Sequence, residues 1–239
     1  LLYDGTGYAV NGCVVGIVSD VSLTVDNCFG SDPNMDESAP GAHASFNGNQ
    51  LAQMAADTDA LDGGGGDISI SAWVQTSDLS ADSSNRIVSK MTGNVGYELY
   101  YNDITGKIGA AIGDASGSIA GGSISAQSIG DGAWHHVAVT FDRNDKATVY
   151  IDGAANGTLS IAPQDIDGIP LPIGSADNAA RFTIGADSDG KRNFTGAIRD
   201  VRILIGGVWT SAEIALQAAN PWQPLFPGSG ANSEYWLFN

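Results

Sequence analysis

The clearest pattern along the chain is a two-residue alternation on either side of a short polar turn. Val137, Val139 and Phe141 occupy every second position of one run, Asp142-Arg143-Asn144-Asp145 interrupts it, and Val149 and Ile151 resume beyond. Successive strand side chains point to opposite faces, so these five residues share one face of a hairpin. Short patterned runs recur down the chain, separated by clusters of Gly, Asp and Asn, and helical signal is nearly absent. Such a series predicts an all-β fold, a two-sheet antiparallel β-sandwich. The exception is Thr210-Ser211-Ala212-Glu213, a capping box that opens Ile214-Ala215-Leu216-Gln217-Ala218, with Pro221 as the stop. One short surface helix is predicted there.

Two terminal features extend the pattern. Residues 14–18 and 21–25 read as a hairpin around Ser19-Asp20, bracketed by Cys13 and Cys28, the only two cysteines. The pair is either a disulfide clamping that segment or two buried thiols. At the other end, Tyr235-Trp236-Leu237-Phe238-Asn239 reads as a further strand. It either closes this sandwich or begins a second module. The chain of 239 residues begins with Leu1 rather than Met, as a processed or trimmed product would. It shows neither a signal peptide nor a transmembrane stretch.

Charge narrows the partners. The formal net charge is -17, with 23 Asp and four Glu (Glu37, Glu98, Glu213, Glu234). Phosphate backbones and anionic membranes repel such a surface, which argues against nucleic-acid binding and membrane insertion. The Asp excess has two readings. Asp suits β-turns because its side chain bonds the backbone two residues on, and it also supplies hard oxygen ligands for calcium. Asp187-Ser188-Asp189-Gly190 and Asp57-Thr58-Asp59-Ala60-Leu61-Asp62 set carboxylates at i and i+2 in loops able to wrap an ion. Neither is an EF-hand, because Ile198 and Ile68 stand where a bidentate Glu would be needed.

Catalytic signatures are missing. The chain has no Gly-x-Ser-x-Gly, no His-Glu-x-x-His and no Gly-Lys-Ser/Thr phosphate loop. His135 and His136 are adjacent on a strand, so they face opposite sides and do not aim at one ion. Nor is there a Cys-x-x-Cys grouping.

The order of the runs carries a resemblance. Asp131-Gly132-Ala133-Trp134-His135-His136-Val137 through Asp152-Gly153 resembles the central hairpin of laminin G-like modules in the concanavalin A-like lectin/glucanase superfamily. His43-Ala44-Ser45-Phe46-Asn47-Gly48 resembles an early strand end of that family, with Asn47 where Asp is usual. Asp67 to Val74, Arg86 to Lys90, Arg181 to Gly185 and Phe194 to Ile203 are similar to its other strands. The resemblance covers residues 43 to about 213, whereas the first forty or so residues match poorly. It implies a jelly-roll sandwich and a single domain over residues 1–239, with a core at 43–209 and a helix and Pro-rich tail at 210–239. Gly63-Gly64-Gly65-Gly66 is then a loop, and 162–180 a long loop at one end of the sandwich. The tail Ala219 to Pro227 is similar to the segment that follows such modules in phage and environmental structural proteins.

The resemblance also frames function. Glucanases of the superfamily use a Glu-x-Asp-x-(x)-Glu motif on one strand, which four scattered Glu do not supply, so the chain is not expected to be an enzyme. Related modules hold calcium at the sandwich rim, which adds weight to Asp57, Asp59, Asp187 and Asp189 as candidate ligands. Sugars dock on aromatic faces. Trp73 and Trp134 fall in core strands of the family, leaving Tyr100, Tyr101 and Trp209 as candidate ligand-facing aromatics. The first expectation is a non-catalytic structural or decoration module of a virion or extracellular assembly. Its partners are protein neighbours or copies of itself, docked through the extended tail and an unpaired terminal strand. The alternative is a calcium-assisted carbohydrate-binding or adhesion module that takes glycans. A glycan-cleaving enzyme is the remaining class. An extracellular or virion-surface location suits the first two.

Overall fold

The computed structural model describes residues 43–80, 84–116, 119–161 and 174–220, with the backbone of residues 9–10, 13–14, 23–24 and 232–235. In chain order the strands are β1 (Ala9–Val10), β2 (Cys13–Val14), β3 (Leu23–Thr24), β4 (Ala44–Asn47), β5 (Ala52–Met54), β6 (Ile68–Gln75), β7 (Ser84–Thr92) and β8 (Val95–Asn102). Then follow β9 (Lys107–Gly113), β10 (Ile119–Ser128), β11 (Trp134–Phe141), β12 (Lys146–Ile151), β13 (Ala154–Ser160), β14 (Thr183–Ile184), β15 (Thr195–Ile205), helix α1 (Ser211–Ala219) and β16 (Asn232–Tyr235). The first sheet runs β10-β9-β8-β7-β14-β5-β3. The second runs β13-β12-β11-β6-β15-β16, with β4 also pairing β15. The two form the expected antiparallel sandwich.

The hairpin read from the alternation is present in register. Val137 pairs with Ile151, Val139 with Val149 and Phe141 with Ala147. Asp142 and Asp145 close the turn, with Asp142 N–H donating to Lys146 O and Asp145 N–H to Asp142 O, each at 3.0 Å. The inner face of β6 contributes Ile68, Ile70, Ala72 and Val74, and that of β15 adds Ile198, Val201 and Ile203. These pack with Val88, Tyr97, Leu99, Tyr101, Ile108 and Phe182 of the first sheet in one contiguous core. Each such side chain taken from water contributes roughly 1.5–3 kcal/mol before the entropy of ordering is set against it.

Helix α1 forms where its capping box stands. Thr210 Oγ1 accepts from Glu213 N–H at 3.2 Å, and Thr210 N–H donates to Glu213 Oε2 at 2.7 Å. The helix lies on the outer face of the second sheet, where Trp209 and Ile214 join Ala138, Tyr150 and Leu204 in a small second cluster. Two serines of β6 bind it there. Ser71 Oγ donates to Gln217 Oε1 at 2.6 Å, and Ser69 Oγ accepts from Trp209 N–H at 3.0 Å. The helix therefore covers one half of that face.

The terminal expectations are described only in part. Leu23 and Thr24 pair with Met54 and Gln53 of β5, and Val14 pairs with Ala9, while the rest of the hairpin expected over 14–18 and 21–25 lies outside the described residues. The side chains of Cys13 and Cys28 lie outside the described residues, so their pairing does too. Of the strand expected at 235–239 only Tyr235 is described, as the end of β16 (Asn232–Tyr235), which pairs with β15 from Arg202 to Ile205; residues 236–239 lie outside the described residues. Residues 232–235 thus add to the chain's own sheet. The tail at 221–231 lies outside the described residues.

Candidate functional site

The half of the outer face left uncovered by α1 carries an aromatic–cation ladder assembled from four strands or their ends. Alternation along β6 puts Trp73 and Gln75 on the same face as Ser69 and Ser71, opposite the core-facing isoleucines. In β11 the same rule places Trp134 and His136 outward, opposite Val137 and Val139. Register then brings the pieces together, since Trp73 lies across from His136 and from Arg199, while Gln75 lies across from Trp134 and Ala197. The Arg199 guanidinium carbon sits 4.4 Å from the Trp134 ring centroid and 5.2 Å from that of Trp73. His136 meets Trp73 edge-on at 5.7 Å, and His43 meets Trp134 edge-on at 5.5 Å. Trp73, Trp134, Arg199 and His43 are half-buried. Stacked guanidinium–indole contacts contribute about 0.5–2 kcal/mol each, the larger figure where water is excluded.

Beside the ladder runs a polar cleft of about 380 Å³, lined by His43, Ser45, Gln75, Thr76, Ser77, Gly132, Gly196 and Ala197. Its polar walls are held in place. Gln75 Nε2 donates to Gly132 O and Thr76 Oγ1 to Thr195 O, both at 2.8 Å. Gly196 is required at the floor. Its φ is +140°, and a Cβ there would stand 2.2 Å from Gln75 O.

Electrostatics behind the ladder are set by burial. A bulge in β15 between Arg199 and Arg202 holds Asp200 at φ +52°. Asp200 takes both Nε and Nη2 of Arg202, at 3.0 and 2.8 Å. Burial nonetheless pushes the Asp200 carboxyl up to about 6, outweighing the Arg202 charge. Burial, helped by Arg202, pulls the His136 imidazole down to about 3, so this ring is neutral. Burial also lowers the Arg199 guanidinium, against the pull of Asp200. His135 faces the other way, as adjacent strand residues must. It bonds Asp152 at 2.9 Å and Asp131 at 3.2 Å. Burial works against its charge, but those two carboxylates outweigh it and raise its pKa.

The residues expected to carry function are placed differently. Tyr100 is 8% exposed, with the Arg86 guanidinium 5.0 Å over its ring. Tyr101 lies in the core, donates its hydroxyl to Asp78 O at 2.7 Å and is pushed up to about 12 by burial. Trp209 is 4% exposed beneath α1. The three aromatics expected outside are buried, and Trp73 and Trp134, expected in the core, are half-buried on the outer face of the second sheet. The strand period carried that signal for Trp73, which shares parity with two serines.

One of the two acidic loops already holds a cation of the chain itself. The buried Lys90 ammonium bonds Asp57 Oδ1 at 2.8 Å, Asp62 Oδ1 at 2.6 Å and Asn178 O at 3.0 Å. Asp59 is exposed and opens a single 3₁₀ turn, Asp59–Leu61. Asp187 Oδ1 accepts the N–H groups of Asp189 at 3.1 Å and Lys191 at 2.8 Å, an Asx-type turn. Among the described residues no three His, Cys, Asp or Glu side chains gather in a way that would hold a metal ion.

Comparison with curated proteins finds no match. Among solved structures, the binding domain of Paraclostridial Mosquitocidal Protein 1 is similar at a TM-score of 0.62 and 14% identity, covering 89% of this chain and 50% of that one. The Botulinum Neurotoxin serotype G binding domain aligns at 0.56 and 15%, covering 87% and 47%. The receptor binding domain of botulinum neurotoxin mosaic serotype C/D aligns at 0.55 and 14%, covering 87% and 46%. The chain thus spans about half the length of these structures, and at such identity the likeness is one of fold. The family model described as concanavalin A-like lectin/glucanases superfamily, of laminin G type, matches residues 46–215. With the sandwich, its register and this match in agreement, the chain belongs to the laminin G-like family of the concanavalin A-like lectin/glucanase superfamily.

Proposed function

We propose that this chain is a non-catalytic carbohydrate-binding or adhesion module that takes its ligand in the cleft beside Trp134. The observation that carries this reading is the half-buried Trp73–Arg199–Trp134 stack standing against a polar cleft. Aromatic edges and faces receive the C–H surface of a sugar, and Ser45, Gln75 and Ser77 offer hydroxyl and amide partners. The names of the similar structures, binding domains and a receptor binding domain, support recognition as the role. A non-catalytic role is supported by the carboxylates. Glu98 is buried and bonded through both oxygens to Arg86 at 2.7 Å, and Glu213 closes the helix cap. An extracellular or virion surface is the setting in which such a module meets glycans. Mounted on a larger assembly, it would serve as the recognition element. Binding to an array of immobilised glycans tests the proposal. The wild-type protein is expected to retain a subset, and Trp134→Ala to weaken that binding about tenfold while the protein stays folded by circular dichroism, the loss of one stacked aromatic contact. Absence of glycan binding, or equal binding by the variant, overturns it.

A further inference from the structure

Lys90 stands at a core-facing position of β7. It shares the parity of Val88, pairs with Tyr97 of β8 and is wholly buried. A lysine is almost never buried to that extent unless paired, and this one is paired twice over. Its Nζ donates to Asp62 Oδ1 at 2.6 Å, to Asp57 Oδ1 at 2.8 Å and to Asn178 O at 3.0 Å. Those bonds use all three ammonium hydrogens and hold the nitrogen in one place. Both sides of the contact are fixed from behind. Asn178 Nδ2 donates to Lys90 O and Val95 O, each at 3.2 Å, which anchors the joined ends of β7 and β8. Tyr97, also wholly buried, donates its hydroxyl to Leu61 O at 2.8 Å, and Asp62 N–H donates to Asp59 O at 3.2 Å. The Asp62 carboxyl carbon lies one C–O bond beyond an oxygen 2.6 Å from Nζ. It is therefore within about 3.9 Å of the nitrogen, close to the roughly 3–3.5 Å of a near-attack contact.

We propose that Lys90 and Asp62 condense spontaneously to an isopeptide bond, a covalent cross-link between β7 and the 57–62 segment. Asp57 carries the protons. It takes one from the ammonium, and the freed amine attacks Asp62 Cγ. The two protons shed by nitrogen then leave with one Asp62 oxygen as water. One C–N bond forms, one C–O bond breaks, and nothing is oxidised or reduced. Ammonium and carboxylate become amide and water, so charge balances without a co-reactant. Exposure divides the two carboxylates. The Asp62 side chain is 18% exposed and the nearer to Nζ, whereas that of Asp57 is 28% exposed. The drier carboxyl is the acceptor, and the wetter one exchanges protons and afterwards accepts the new amide N–H. Burial favours the product, because a neutral amide replaces two charges and the water that reverses the reaction is kept out. The bond closes residues 62–90 into a ring across the Gly63–Gly66 run and β6, which restricts the unfolded chain as a disulfide does. It stands on these residues alone and not on the carbohydrate reading of the Trp134 cleft.

Intact-mass spectrometry of the reduced, denatured protein tests it. The expected mass is about 18 Da below that of the uncondensed chain, one water lost. Tryptic digestion is expected to yield a branched peptide that joins Lys90 to Asp62. Lys90→Arg keeps a cation between the carboxylates but does not acylate, and is expected at full mass. Asp57→Asn is expected to leave most of the chain unlinked after purification. A wild-type protein at full mass overturns the proposal. So does a deficit that persists in Lys90→Arg, or one that maps to a linear peptide as a succinimide at Asp62-Gly63, which loses the same water. Complete linkage in Asp57→Asn overturns the proton-carrying step. The wild-type mass and peptide map decide the bond by themselves, even where a variant fails to fold.

Discussion

Lys90 shows how one side chain changes the meaning of a loop. Read along the chain, Asp57 and Asp62 are acidic loop residues of the kind that hold calcium. In the fold they flank an ammonium whose side chain is 1% exposed, so a chain-borne cation already occupies the space between them. Lys90→Met leaves two carboxylates facing one another without it. The variant is expected to lose about 3 kcal/mol in urea unfolding, at the lower end for a broken buried pair because the carboxylates are partly solvated. Calcium is expected to raise the melting temperature of the variant more than that of the wild type. His136 and Asp200 supply a pH prediction of opposing signs. With a folded pKa near 3 against 6.5, His136 contributes stability that is present above 6.5 and lost as pH falls toward 3. With a folded pKa near 6 against 3.8, Asp200 contributes stability present below 3.8 and lost as pH rises through 6. Between about pH 4 and 6 the two slopes, each up to about 1.4 kcal/mol per pH unit, run against one another. His136→Phe keeps a ring against Trp73 and removes the first. Relative to wild type, its stability is expected to climb as pH falls from 6.5 to 4, measured by denaturant unfolding at each pH.

At the scale of elements, the outer face of the second sheet is divided by α1. Its covered half presents Ser69, Ser71, Ala138 and Leu204, small or apolar groups that a helix packs against. Its other half presents Trp73, Trp134 and Arg199, too bulky to admit a helix at the same distance. The strands carrying the ladder approach closely at Gly196, where β15 meets the end of β6. Gly196→Ala forces a Cβ onto Gln75 O and strains a φ of +140°. About 2 kcal/mol of stability is expected to be lost, with the cleft distorted, so that calorimetry and glycan binding fall together.

Across the whole molecule, charge is the dominant global term. Ten Lys and Arg face 27 Asp and Glu, and the structure commits several of those cations to interior pairs, with Lys90, Arg86 and Arg202 all buried. The surface is therefore more uniformly acidic than the count alone indicates. Self-repulsion in such a shell is screened by salt over about 10 Å at 0.1 M. The melting temperature is expected to rise between 10 mM and 500 mM sodium chloride in scanning calorimetry. A fall across that range would mean that attractive surface pairs dominate instead.

The alternation of Val137, Val139 and Phe141, the Asp142–Asp145 turn and the Thr210–Glu213 capping box are legible in the sequence because each depends on residues a few positions apart. The sandwich, its central hairpin and α1 follow from them, and the ordered runs carry the family. Parity within β6 also contained the outward turn of Trp73, although family position argued for the core. The sequence alone does not bring His43, Trp73, Trp134 and Arg199 together, because they come from distant parts of the chain and meet only through strand register. The pairing of Lys90 with Asp57 and Asp62, the burial of Tyr100, Tyr101 and Trp209, and the side of the sheet that α1 leaves open were likewise decided by tertiary structure. Local periodicity says that a side chain faces one way or the other, and only long-range packing determines which of those faces meets water.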